Sequence, residues 1–261
     1  MKNMRKYLGV SLAVLIMLSE LLILETQAAE IATVLRVIDG DTCVLEDGRR
    51  LRYAGINAPE KGEPLFEEAT QANNQLVAGK KIRLELGFPP RDKGGRSLAY
   101  IFVGKLFVNL ELVRQGYAHI RHPLRRKYRD DFLQAQREAM RAGRGIWGKV
   151  RKSSIIIAIV HFNAEGDDRK NLNDEYIVIE NRADEPVDLT GWTVYDESNA
   201  HRYLFPSFVL SGKAKVTLRT GLGKNTRDEL FWGSRSPVWN NDGDTVFIRD
   251  SEGNLVASYV Y

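Results

Sequence analysis

One cysteine in 261 residues, Cys43, excludes an intramolecular disulfide. It stands between Thr42 and Val44 in a strand-like run and reads as a buried structural thiol. Histidines are also few, at four, and neither His161 nor His201 has a partner at metal-ligand spacing. Internal repeats and low-complexity tracts are lacking, so a solenoid is excluded. The longest N-terminal apolar stretch, residues 7–17, is interrupted at Glu20 and is short for a bilayer span.

That N-terminus has an order of its own. Lys2, Arg5 and Lys6 precede the apolar stretch, Leu21 to Leu24 follow it, and small residues close it at Ala28 and Ala29. This is the pattern of a secretory signal peptide over residues 1–28, which implies a secreted or periplasmic protein. The alternative is a membrane anchor through an uncleaved signal. No cysteine sits at the cleavage point, so lipid attachment there is unsupported.

Charge is unevenly spread. Residues 29–150 carry 22 Lys and Arg against 15 Asp and Glu, whereas residues 151–261 carry 13 against 17. A basic first half suits a polyanionic partner such as nucleic acid; ordinary surface charge is the competing reading.

Hydrophobic periodicity divides the chain at the same place. Residues 32–38, 43–46, 50–54, 81–86 and 98–103 read as strands, with Asp47-Gly48 turning a hairpin. Leu65, Ala69, Ala72 and Leu76 share a helical face ended by Gly79. Residues 108–115 and the face Tyr128, Phe132, Ala135, Ala139 predict two more helices, stopped at Gly116 and Gly143. Five strands with three helices fit a small closed barrel of the oligonucleotide-binding type. After a polar join at 149–153 the helical period disappears. About seven short strands between turn signals predict an immunoglobulin-like β-sandwich over 154–261. The expected fold class is therefore mainly β, with a first domain at 29–148 and a second at 154–261.

Four segments of the first domain carry chemistry-bearing residues: Asp39-Gly40-Asp41-Thr42, Arg52 through Ala58-Pro59-Glu60, Asp92-Lys93-Gly94-Gly95-Arg96, and Val108-Asn109 through Gln115-Gly116. Phosphodiester hydrolysis needs a hard cation, an activated water and positive charge on the phosphoryl oxygens. Asp41, Asn57 and the carbonyl of Ala58 are oxygen donors of the kind Ca2+ takes. Glu60 is a candidate to activate water. Arg52 and Arg96 are planar forks that match a phosphoryl group. Taken singly, each segment also reads as a turn, a solvated strand residue or a loop.

Their joint order resembles the staphylococcal nuclease family over residues 31–147. The resemblance implies catalytic roles for Arg52, Glu60 and Arg96 and calcium ligands at Asp41, Asn57 and Ala58. It implies DNA or RNA as substrate and 3′-phosphate products. The family usually has Asp where Asn57 stands and often Tyr where Gly94 stands, so weaker calcium binding and weaker base stacking are expected. Nucleic-acid contacts then fall to Lys93, Arg121, His122, Arg125 and Arg126, with His122 able to stack on a base. A catalytically impaired nucleic-acid-binding adaptor at the envelope is the alternative.

In the second half, Asn171 to Tyr176, Asp188-Leu189-Thr190-Gly191-Trp192 and Trp239 to Asp244 resemble the lamin tail domain family. This implies a binding or structural module with an envelope or protein ligand and no chemistry of its own. Asn240 to Asp244 has the look of a calcium loop, but Ser251 stands where the closing Glu belongs, so a tight turn is expected.

Overall fold

The computed structural model describes residues 30–92, 94–148, 153–198 and 200–261. The expected signal peptide, most of the 149–153 join and Lys93 lie outside the described residues. Among the described residues no helix is long and apolar enough to cross a membrane.

The first half is a closed barrel. Strands β1 (Glu30–Asp39), β2 (Thr42–Leu45), β3 (Arg50–Tyr53), β5 (Lys81–Arg91) and β6 (Ser97–Val103) run in the order β3-β2-β1-β5-β6, and a parallel β3–β6 pairing shuts the ring. A short β7 (Leu106–Phe107) extends β6, and β4 (Ile56–Asn57) pairs with β8 (His119–Ile120). Helices α1 (Phe66–Val77), α2 (Val108–Arg114) and α3 (Arg129–Arg141) pack outside. The core gathers aliphatic and aromatic residues, including Leu45, Leu51, Tyr53, Ile82, Tyr100 and Phe132, all fully buried. Cys43 is buried there too, as its neighbours implied.

Strand β5 runs five residues beyond the expected 86. Its pairing with β6 is broken between Leu86 and Arg91, and Pro89 and Pro90 lie within that break. Prolines have no N–H to give a ladder, so the alternation ends at Leu86 although the extended backbone continues. Past the barrel, Glu85 fastens the start of α3. Its carboxylate accepts Lys127 Nζ and Tyr128 Oη, each at 2.7 Å, and Arg83 Nη1 at 2.8 Å. Burial alone would raise this carboxyl, but these three partners outweigh it and hold it down at about 2.

The second half holds two four-stranded sheets. One has the order β16-β15-β10-β9 and the other β13-β12-β17-β18, with β11 and β14 paired beside them. The strands are β9 (Ile155–His161), β10 (Tyr176–Asn181), β11 (Val187–Asp188), β12 (Thr193–Tyr195), β13 (Arg202–Leu204), β14 (Val209–Leu210), β15 (Lys215–Arg219), β16 (Glu229–Phe231), β17 (Thr245–Arg249) and β18 (Leu255–Val260). Five of these, β11, β12, β13, β14 and β16, have two or three residues, too few to show an alternation. The core between the sheets includes Ile177, Ile179, Val194, Leu218, Trp239 and Val246.

The segment from Asn240 to Asp244 is the expected turn. The Asp244 carboxylate accepts the N–H groups of Glu197, Thr245 and Asn240 and the Asn240 side-chain amide, at 2.7–3.1 Å. Its oxygens are spent on the protein's own donors.

The two halves are docked through aromatic packing. Phe247 of β17 stacks on Tyr195 (centroids 5.0 Å, interplanar angle 12°) and on Trp147 (5.7 Å, 20°), and lies at 4.8 Å from the His119 ring. Ala139, Ile146 and Leu255 complete this buried cluster.

Two outcomes follow. Phe247→Ala empties the centre of the interdomain cluster and is expected to destabilise the chain by about 3–5 kcal/mol, read from urea unfolding; a loss below about 1 kcal/mol would contradict this packing. Glu85→Gln is expected to cost roughly 1–2 kcal/mol at pH 7 after screening. The Glu85 carboxyl is held at about 2 in the fold against 4.5 in the free chain. Its contribution is therefore present above pH 4.5 and drains away as pH falls toward 2. The gap between wild type and variant should close over that range in acid unfolding curves.

Candidate active site

The site begins at the end of β1. Asp41 N–H donates to Asp39 Oδ1 at 2.9 Å, which folds Asp39-Gly40-Asp41 into a side-chain-stabilised turn. Gly40 is required by close approach: a Cβ there would sit 2.6 Å from Ala58 Cβ and 2.8 Å from Ala69 Cβ. The turn is thus pressed between α1 and the loop after β4. Asn73 of α1, fully buried, ties the layers together, donating to the Asp39 carbonyl and accepting Tyr53 Oη, both at 2.8 Å.

Arg52 of β3 is the hub, with 4% of its surface exposed. Its Nη2 donates to Asp41 Oδ2 at 3.0 Å and to Asn57 Oδ1 at 2.6 Å. Its Nη1 donates to the carbonyls of Ile56 at 3.0 Å and Tyr53 at 3.4 Å. Ala58 N–H also donates to Asp41 Oδ2 at 3.0 Å, and Thr42 Oγ1 donates to Oδ1. Two of the three sequence-predicted oxygen donors, Asp41 and Asn57, therefore meet on one guanidinium, and Ala58 adjoins them through its N–H. Asp41 Oδ2 and Asn57 Oδ1 converge on a single positive centre, the disposition a divalent cation needs, and all three groups are hard oxygen donors. The residues present fit such an ion.

Glu60 stands beyond them in the loop after β4, exposed. Its backbone N–H donates to Glu63 Oε2 at 3.0 Å. Burial first, and then the charges of Asp41 and Asp39, push its carboxyl above the ordinary range. Burial and then the Asp41 charge raise Asp39 as well. Negative charge is thus in excess around the cluster.

Arg96 directly precedes β6. The parallel register sets Leu51 beside Ser97 and Arg52 beside Leu98, so Arg96 falls on the Arg52 face of the sheet by strand alternation. Its Nε donates to Asp92 Oδ2 at 2.6 Å and its backbone N–H to Asp92 Oδ1 at 2.9 Å. Among the described residues, its terminal nitrogens make no hydrogen bond to the Asp41–Asn57 cluster.

The expected nucleic-acid contacts are placed unequally. Arg121 is half-buried; burial and then the Arg52 charge push its pKa below the ordinary range, while Asp41, Glu197 and Asp196 pull the other way. Arg125 lies 3.8 Å from Glu85, and Arg126 is exposed. His122 departs from the expectation of a base-stacking ring. Its backbone N–H donates to Glu197 Oε1, and its Nδ1 lies 3.0 Å from both Glu197 oxygens. With side-chain exposures of 11% for His122 and 1% for Glu197, the ring is enclosed between the two domains. Gly243 backs it closely, since a Cβ there would sit 3.0 Å from His122 Nε2.

Sequence reasoning missed three contributors. His119, buried against Phe247, pairs with Asn57 across β4 and β8. Glu63 holds the Glu60 backbone, and Arg202 of β13 holds Glu63, with Nη2 donating to Oε1 at 3.1 Å. The Glu63–Arg202 contact spans 139 residues, so no local spacing announces it.

Comparison with known proteins agrees with this geometry. The family model described as Staphylococcal nuclease homologue matches residues 50–149, and the Lamin Tail Domain model matches residues 150–261. Thermonuclease of Staphylococcus intermedius is 36% identical over 122 residues, covering 43% of this chain and 73% of that protein. Thermonuclease of Staphylococcus hyicus is 34% identical over 124 residues, covering 44% and 73%. Endonuclease YncB of Bacillus subtilis is 34% identical over 126 residues, covering 44% and 60%. The barrel, its Arg52-centred cluster and these relatives place the chain in the staphylococcal nuclease family, as a phosphodiester-cleaving nuclease followed by a lamin tail domain.

Proposed function

We propose that the protein is an exported, calcium-dependent nuclease that hydrolyses DNA or RNA to 3′-phosphate ends. The observation that carries this reading is the convergence of Asp41 Oδ2 and Asn57 Oδ1 on Arg52 Nη2. Asp41, Asn57 and the Ala58 carbonyl would hold the ion, which would supply Lewis-acid charge to a phosphoryl oxygen. Glu60, its carboxyl raised by burial and its acidic neighbours, accepts the proton of the attacking water. Arg52, whose Nη2 holds Asp41 and Asn57 in this structure, would offer that nitrogen to phosphoryl oxygens of the substrate. Arg96 keeps Nε on Asp92 and presents its terminal nitrogens. Charge on the phosphoryl oxygens grows toward the transition state, so both arginines act most strongly there. The water oxygen bonds to phosphorus as the bond to the 5′ oxygen breaks, and the 5′ oxygen takes up a proton from solvent. Arg121, Arg125, Arg126 and Lys93 contribute charge along the backbone of the substrate. Export rests on the charged, apolar and small-residue order of residues 1–28.

Asn57 supplies an oxygen without a negative charge, and calcium affinity follows ligand charge. Digestion of plasmid and RNA is expected with calcium and none with chelator. Asn57→Asp is expected to move the calcium midpoint of cleavage downward. An unchanged midpoint would refute the ligand assignment.

A further inference from the structure

The segment from Asn57 to Glu63 carries the whole proposed metal and base machinery apart from Asp41, yet only Asn57 lies in a strand. A loop without ladder pairing keeps a fixed geometry only through specific contacts. The second domain reaches the segment at both ends, directly at Glu63 through Arg202 and indirectly at Asn57 through His119.

At the first end, Asn57 pairs with His119 across the β4–β8 ladder, and the Phe247 ring covers His119 at 4.8 Å. A cavity of about 20 Å³, lined by Asn57, Ala58, Glu63, His119, Tyr195 and Phe247 among others, lies between the loop and the second domain. At the other end, Glu63 divides its carboxylate. Oε2 accepts the Glu60 N–H at 3.0 Å, and Oε1 accepts Arg202 Nη2 at 3.1 Å. Glu63 N–H returns to the Glu60 carbonyl at 2.8 Å, closing a small ring around the Glu60 backbone. Arg202 is itself braced, with its guanidinium carbon 5.4 Å from the centre of the Tyr195 ring. Tyr195 in turn stacks on Phe247, so both ends of the loop are referred to one aromatic stack.

We propose that the lamin tail domain is a working part of the nuclease site: Arg202, acting through Glu63, is a positioning residue that fixes the backbone of Glu60. This departs from the expectation of a second domain confined to binding or scaffolding, and it rests on the reading of Glu60 as the base. Misplacement of a catalytic group by a remote contact lowers turnover without weakening substrate binding.

The test is single-turnover and steady-state cleavage of one oligonucleotide by full-length Arg202→Ala, Arg202→Lys, Glu63→Gln and the Arg202→Ala/Glu63→Gln double variant, each checked for folding by near-ultraviolet circular dichroism. Arg202→Ala and Glu63→Gln are each expected to lower kcat by on the order of 10- to 100-fold with KM and its salt dependence unchanged. Arg202→Lys should recover most of the rate, and the double variant should be no slower than the slower single variant. A wild-type kcat in Arg202→Ala would overturn the proposal, as would losses that multiply in the double variant or fall only on KM. If Arg202→Ala fails to fold, the Lys variant and Glu63→Gln carry the same comparison. Glu60→Gln separates the two levels. Wild-type turnover in that variant refutes the base assignment itself, whereas its inactivity beside a fully active Arg202→Ala refutes the relay alone.

Discussion

A guanidinium buried to 4% exposure cannot be left without acceptors, and Arg52 meets four of them across a span of 17 residues. Removing such a charge from water costs several kcal/mol unless geometry and hydrogen bonding restore it. The surrounding architecture supplies that compensation. The Asp41 turn is held by Asp39 and compressed by α1, β4 offers the Ile56 carbonyl, and Asn57 completes the ring. Folding around Arg52 brings an acid, an amide and a backbone carbonyl into one cluster before any substrate arrives. The same ion pair that organises the cluster is the one that substrate is proposed to open.

That arrangement separates two demands on the arginines. Arg52 is buried and saturated, suited to meeting charge only when the site rearranges. Arg96 is partly exposed and tethered at Nε by Asp92, with its Oδ1 gathering the amides of Gly94 and Arg96. Gly94 can lend no ring to a base, and His122 is committed to Glu197. Under the proposed function, substrate affinity is expected to lean on charge more than on stacking, with a steep salt dependence.

The barrel was legible because its signals are local. Alternation marks the strands, glycines mark the helix ends, and Gly79 and Gly143 do adopt positive φ. The cluster of Asp41, Arg52, Asn57, Ala58 and Glu60 was legible through the order of its motifs rather than through any single residue. What was not legible is the interface. Glu63 is one more acid in a loop, Arg202 lies in a three-residue strand, and His119 reads as an ordinary polar residue beside Ile120. Their roles arise only when the second domain docks, through contacts such as the 139-residue span between Glu63 and Arg202. The contact of His122 was not legible for the same reason, since its partner Glu197 lies 75 residues away in the other domain.

Arg52 is proposed to serve both as the organiser of the Asp41–Asn57 cluster and as a fork on the phosphoryl group. Arg52→Lys keeps the positive charge but loses the planar pair of nitrogens. Single-turnover cleavage at saturating calcium by the folded variant tests the claim most directly. The account predicts a rate lower by orders of magnitude with the barrel intact. A wild-type rate would show that the fork is not used and would contradict it.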